Sequence, residues 1–172
     1  MDGSIQVYYG NGRGKTTAAL GLGIRAAGVG KQVIMVQFLK KKHSDTLDFL
    51  KKLEPELQIF RFEKAACGYS DLSPKEKQEQ MLNIKNALGY SRKVLDTGQC
   101  DLLILDEIFG LVDYNIITIE ELMDLIAVKK DSMDLILTGR NLPEEVREIA
   151  DCVYSIQREK EKTPEILAQG NF

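Results

Sequence analysis

Histidine is almost missing from this chain: His43 is the single one, and there is no tryptophan at all. One histidine excludes a metal centre built from imidazoles, and His43 reads as an exposed loop residue rather than a catalytic one. Cysteine is scarce too. Cys67, Cys100 and Cys152 are widely spaced and form no CxxC pair, so neither a disulfide framework nor a zinc site is implied. No apolar run approaches the ~20 residues of a membrane-spanning helix, and "MDGSIQVYYG" has no signal-peptide pattern. The chain is therefore expected to cross no membrane and to stay in the cytoplasm. An excess of positive charge is also lacking: the formal net charge is −3. That argues against a general binder of nucleic acid or membrane surfaces. Lys40, Lys41 and Lys42 form a local basic cluster, which reads as a solvated loop following a strand.

What is present is a regular alternation. Near-continuous apolar runs, the mark of buried parallel strands, occur at 5–9, 32–38, 57–62, 102–106, 135–138 and 153–157. Helical patterns lie between them. Leu20, Ile24 and Ala27 recur on one face until "GVG" (28–30) stops that helix. Ser73 and Glu76 make a capping box with Pro74 at the first helical position, ahead of an apolar face of Met81, Ile84, Leu88 and Leu95. Thr118 and Glu121 repeat the box before Ile119, Leu122, Met123 and Ile126. Pro143 opens a short helix with Val146, Ile149 and Ala150 turned inward. These features predict an α/β fold of one domain, residues 1–172 with a polar tail from 158, around a mostly parallel sheet of about six strands with helices on both faces.

The chemistry begins in "VYYGNGRGKTTAAL" (7–20). Strand, glycine-rich turn and helix start follow one another as in a loop that holds phosphates. Gly10, Gly12 and Gly14 allow a tight turn and bring backbone N–H groups close to phosphate oxygens. Asn11 and Arg13 stand between them, and Thr17 follows in the first helical turn. A helix starting near Lys15 adds the partial positive charge of its N-terminus. Lys15 supplies a full charge, and the Thr16 hydroxyl can ligate Mg²⁺. One detail is unusual. Ordinary phosphate loops place a glycine five positions before Gly14, where this chain has Tyr9, so the loop is one residue short.

"DLLILDE" ends a buried strand in Asp106 and Glu107, the pattern of the acidic strand that faces a phosphate loop. Either carboxylate can hold Mg²⁺, directly or through water, and Glu107 can orient an attacking water. Paired with the loop, this predicts binding of nucleotide phosphates with Mg²⁺ or Mn²⁺. Arg13 and Arg140 are candidates to neutralise phosphate. "TGRN" (138–141) lies at a strand's carboxyl end, where it suits phosphate or ribose contact and equally suits a tight turn.

"GNGRGKTTAALG", "VQFLK", "LLILDEI" and "LTGRN", in this order and at these intervals, resemble the ATP:corrinoid adenosyltransferases of the cobalamin pathway, the type with a RecA-like phosphate-loop fold. The likeness covers about residues 4–157, and the shortened loop G-N-G-x-G-K-T-T is its most specific element. In that family the loop holds ATP in reversed orientation, so that the ribose C5′ is the reacting centre. The resemblance therefore implies attack by the Co(I) of a reduced corrinoid on C5′, with the whole triphosphate leaving. It assigns Gly10 to Thr17 to the triphosphate, Lys15 and Glu107 to catalysis, and Thr16, Asp106 or Glu107 to the metal. The corrinoid would be cobalamin, cobinamide or cobyrinic acid a,c-diamide. A flavoprotein reductant and a homodimer fit the same picture, whereas nucleic acid and membrane do not.

The departures fall on the corrinoid side. An aromatic pair in a G-F-T-W-like stretch becomes Gly68-Tyr69-Ser70-Asp71, which leaves Tyr69 as the expected corrinoid contact. The family's K-H-P-like C-terminal stretch is replaced by "REKEKTPEILAQGNF" (158–172), and with Met1 almost on the first strand the N-terminal arm of some members is expected to be missing. Two other function classes use the same loop: an ATPase or small-molecule kinase, and a non-catalytic nucleotide-binding module.

Overall fold

A computed structural model describes residues 2–40, 50–62 and 69–160. Lys41, Lys42, His43, Cys67, Gly68 and most of the polar tail lie outside the described residues. Six strands form one sheet: β1 (Ile5–Tyr9), β2 (Val33–Gln37), β3 (Leu57–Arg61), β4 (Leu102–Asp106), β5 (Asp134–Gly139) and β6 (Cys152–Ser155), in the order β3-β2-β4-β5-β1-β6. Every pairing is parallel, a sharper result than the mostly parallel sheet expected. Strand limits agree with the apolar runs to within two residues. Strands β2 and β4 are buried along their whole length, which is why they read as unbroken hydrophobic runs.

The helices are α1 (Lys15–Gly28), α2 (Pro74–Thr97), α3 (Ile108–Asp113), α4 (Ile119–Ala127) and α5 (Glu144–Ile149). Both expected capping boxes are formed, Ser73 with Glu76 and Thr118 with Glu121. The alternation of strand residues creates two cores. Val33, Met35, Leu57, Ile104 and Ile136 meet Ala19 of α1 on one face. Val36, Leu103, Leu105, Leu135 and Leu137 meet Ile84, Leu95, Phe109, Leu122 and Val146 on the other.

Two expectations about helix faces fail in part, at Ile24 and Ile149, while Leu20, Ala27, Val146 and Ala150 pack against the cores as expected. In α1, Ile24 is exposed, and the buried residues are Ala19 and Gly23. The sheet comes so close that a Cβ at position 23 would lie 3.1 Å from Ile104 and 3.4 Å from Val33. The fully buried positions of the helix are therefore its smallest residues, with Leu20 and Leu22 packed partly buried beside them. In α5, Val146 is buried while Ile149 is exposed, because the six-residue helix turns only one residue fully into the core. Among the described residues, Cys100 is buried, with its thiol pushed up to about 12 by burial, and Cys152 is exposed; neither forms a disulfide. No helix among the described residues is long and apolar enough to cross a membrane.

The register places the functional ends together. Gln37 pairs with Asp106 between β2 and β4, and Tyr9 pairs with Gly139 between β1 and β5. Four carboxyl ends thus share one rim of the sheet, where ligands of open α/β sheets bind.

Candidate active site

Tyr9 stays in the ladder, opposite Gly139 and Ser155, and the chain turns only at Gly10. This is why the loop begins one residue late. Position 10 requires glycine twice over: its φ is +120°, and a Cβ there would run into the Ile156 carbonyl oxygen. The Gly10 amide donates to the Arg140 carbonyl (3.0 Å) and the Gly12 amide to the Ile156 carbonyl (2.9 Å). The segments after β5 and β6 therefore hold the loop in shape. α1 then starts at Lys15, with left-handed Gly14 before it and no side chain capping its end among the described residues. Its first-turn amides open on a hollow of about 630 Å³ lined by Asn11, Gly12, Arg13, Gly14, Lys15, Thr16, Thr17, Lys40 and Glu107. The Lys15 ammonium folds over the loop and donates to the carbonyls of Gly10 (2.8 Å) and Gly12 (2.9 Å).

Behind the loop stands Asp106, fully buried at the end of β4. A desolvated carboxylate costs several kcal/mol unless donors surround it, and here they do. The Thr16 hydroxyl lies 2.9 and 3.0 Å from its two oxygens, the Thr138 hydroxyl donates at 2.7 Å, and the Gln37 amide group donates at 3.1 Å. Gln37 in turn accepts from Arg61 Nε at 2.7 Å. The next residue, Glu107, is left-handed (φ +64°), and its amide donates to Thr138 at 2.8 Å. A non-glycine residue held in that region marks strain of ~1–3 kcal/mol, and here it turns the Glu107 side chain toward the loop's hollow.

Glu107 also lines two adjoining hollows. One, of about 440 Å³, is shared with Gly10, Asn11, Lys15, Arg140 and Arg158; the other, of about 670 Å³, with Leu39, Lys40, Tyr114 and Asn141 among others. The structure thus gathers Gly10 through Thr17, Asp106, Glu107 and Arg140 at one rim. Tyr69 stands apart from these hollows, packed on Tyr114 with ring centroids 5.3 Å apart. Beside the loop, Arg147 donates to the Tyr9 hydroxyl (3.4 Å), a hydrogen bond that draws the phenol below its ordinary range.

Some site residues escape sequence reasoning. Gln37 and Thr138, polar and buried at the ends of apolar strands, carried a signal in that very mismatch. Tyr114 and Arg158 carried none, whereas Asn141 lies in the "TGRN" stretch that suits phosphate or ribose contact. Lys40 corrects an expectation: it is no solvated loop lysine. Its ammonium lies 3.2 Å from the Thr16 hydroxyl, 3.5 Å from Asp106 and 4.0 Å from Glu107.

The family model described as ATP:corrinoid adenosyltransferase BtuR/CobO/CobP matches residues 1–169. The chain belongs to this family. Corrinoid adenosyltransferases of Escherichia coli K12 and Salmonella typhimurium LT2 are each 30% identical to it, over 90% of this chain and 76% of theirs. Among solved structures, a KaiC-like protein of Pyrococcus horikoshii OT3 superposes with a TM-score of 0.59 at 20% identity, covering 94% of this chain and 75% of that one. This likeness supports the α/β fold. For an adenosyltransferase of this family, the sheet rim holding the shortened loop is the place to seek the substrates.

Thr16, Asp106 and Glu107 fit a divalent cation by their chemistry. All are hard oxygen donors, and a cationic group, the Lys40 ammonium, already stands among them. Among the described residues no three His, Cys, Asp or Glu side chains converge. Mg²⁺ needs no such cage, because it keeps several waters and takes one or two carboxylates together with phosphate oxygens.

Proposed function

We propose that the chain transfers the 5′-deoxyadenosyl group of ATP to the Co(I) of a corrinoid and releases triphosphate. The carrying observation is the loop that turns one residue late, at Gly10, in a chain of this family. In this reading the triphosphate lies along the amides from Asn11 to Thr17, with Lys15 transferring its hydrogen bonds from the loop carbonyls to phosphate oxygens. Arg140 and Asn11 bound the neighbouring hollow, which suits the rest of the nucleotide. The Co(I) electron pair forms the Co–C5′ bond as the C5′–O bond breaks, and that bond's pair departs with the triphosphate. Amide donors and Lys15 aimed at the leaving group stabilise the charge it gains. Bound Mg²⁺ or Mn²⁺ would add electrostatic stabilisation of that same charge, held by Thr16 and by Asp106 or Glu107. The nucleophile is the substrate's own cobalt, so no activated serine, cysteine or histidine is required.

The acceptor is a corrinoid such as cobalamin, cobinamide or cobyrinic acid a,c-diamide. In this reading Tyr69 contacts the corrinoid; its ring packs on Tyr114, which itself lines the hollow of about 670 Å³. A flavoprotein supplying Co(I), a homodimer and action in the cytoplasm belong to the same proposal. Phosphorus NMR of a reaction with Mg·ATP and a chemically reduced corrinoid tests it. Intact triphosphate, together with the visible absorption of a new Co–C bond, is expected. ADP as the product would overturn the reading in favour of an ATPase or kinase. Bound ATP without turnover would favour a nucleotide-binding module.

A further inference from the structure

Lys40 reaches the acidic cluster because of two features of the backbone around it. Leu39 is left-handed at φ +56°, a region that L residues with branched side chains rarely adopt. Its side chain lies over Gly110, where a Cβ would come within 2.6 Å of Leu39 Cδ1. The absence of a side chain at 110 therefore admits this turn. The chain leaves β2 and swings Lys40 back across the ends of β2 and β4, instead of letting it run out into solvent. Its side chain is 29% exposed and Asp106 is fully buried, so the ammonium gives up much of its hydration to sit among one hydroxyl and two carboxylates. Lys40 also lines both the loop's hollow and the neighbouring hollow of about 670 Å³.

We propose that Lys40 holds the cation position between Thr16, Asp106 and Glu107 and yields it to the divalent ion that arrives with the nucleotide, its own charge passing to the phosphates. This rests on the nucleotide reading given above. A divalent ion bound to the Thr16 oxygen and an ammonium 3.2 Å from that oxygen repel too strongly to share the place. The lysine's four-carbon stem lets its tip move several ångströms without backbone change, and the neighbouring anion available to it is then the phosphate chain. The consequence is an order of events. Free divalent cations are disfavoured by the resident ammonium, while a cation that brings phosphate offers Lys40 a new partner and displaces it.

The test is titration of Mn²⁺, with free ion read by electron paramagnetic resonance, into protein prepared without nucleotide. Lys40→Met and Lys40→Gln are each expected to bind Mn²⁺ at least tenfold more tightly than the parent. Asp106→Asn added to Lys40→Met is expected to abolish that gain. Isothermal titration should show both single variants binding Mg·ATP several-fold more weakly, the reverse sign. Unchanged Mn²⁺ affinity in both single variants, or a gain that survives Asp106→Asn, would overturn the assignment. The reaction reading fails separately: ADP formation by the parent would remove the adenosyl transfer while the Mn²⁺ gain, read without nucleotide, still decides the role of Lys40.

Discussion

The Thr16 hydroxyl lies within 3.0 Å of both carboxylate oxygens of Asp106, although ninety positions separate the two residues in the chain. The contact joins the first turn of α1 to the end of β4. It fixes the distance between the loop's amides and the acidic strand before any ligand contact is made. Such preorganisation is what lets donors act on developing charge without reorganising first.

Lys15→Ala and Thr16→Ala are expected to weaken Mg·ATP binding without unfolding the protein. Both side chains are half-buried at a loop–helix junction and belong to neither apolar core. A hydrogen bond to a charged group is worth ~1.5–3 kcal/mol, so a loss of roughly tenfold to a hundredfold follows for Lys15→Ala. Isothermal titration, beside thermal melts of the same samples, measures both. Affinity unchanged in the two variants would make the loop structural.

Asp106→Asn and Glu107→Gln should lower Mg²⁺-dependent turnover, with at least one falling more than tenfold, ~1.4 kcal/mol or above. Asp106 is the hub of four side-chain contacts, and an amide in its place would put a donor where only an acceptor is satisfied. Glu107 is 27% exposed, so its variant should lose function while keeping its melting temperature. Metal titrations of initial rate separate the two cases. Two variants that both match the parent would remove the carboxylates from the metal's account.

How far the sequence foretold this arrangement depends on side-chain size and chain separation. The strands and both capping boxes were legible because each rests on neighbours in the chain. Helix α3 was not, since "LLILDEIFGLV" runs from strand into helix as one apolar stretch, broken only by Asp106 and the left-handed Glu107. The face of α1 was misread at Ile24 for an opposite reason: full burial there selects Ala19 and Gly23, whose smallness carries little hydrophobic signal. The loop, Asp106 and Glu107 were found through spacing. Lys40 was hidden because its position depends on one backbone conformation, at Leu39, that no local pattern announces.

A pH dependence follows from Asp134 at the foot of β5. Burial pushes its carboxyl up, but the Ser4 amide (2.9 Å), the Lys31 ammonium (3.1 Å) and the Ser4 hydroxyl (3.0 Å) outweigh burial and hold it below its ordinary value. A depressed carboxyl contributes stability above the unfolded value of about 3.9 and loses it as pH falls through the folded one. Urea denaturation should therefore show Asp134→Asn less stable than the parent at pH 5 and above, with the gap closing below about pH 4. A gap that stayed constant down to pH 2 would show that ionisation of Asp134 contributes nothing.

The strand order also governs when the loop can exist during synthesis. β1 emerges from the ribosome before the other five strands, yet its two neighbours are β5 and β6, made from residues 134–139 and 152–155. The carbonyls that brace Gly10 and Gly12 belong to Arg140 and Ile156. Translation runs from the N-terminus at ~5–20 residues per second, so for roughly 130 further residues the phosphate loop has no wall to lean on. Pairings this remote form late. Nucleotide therefore cannot template the nascent chain, and a ribosome-stalled fragment ending before residue 140 should show no protection of its loop by ATP.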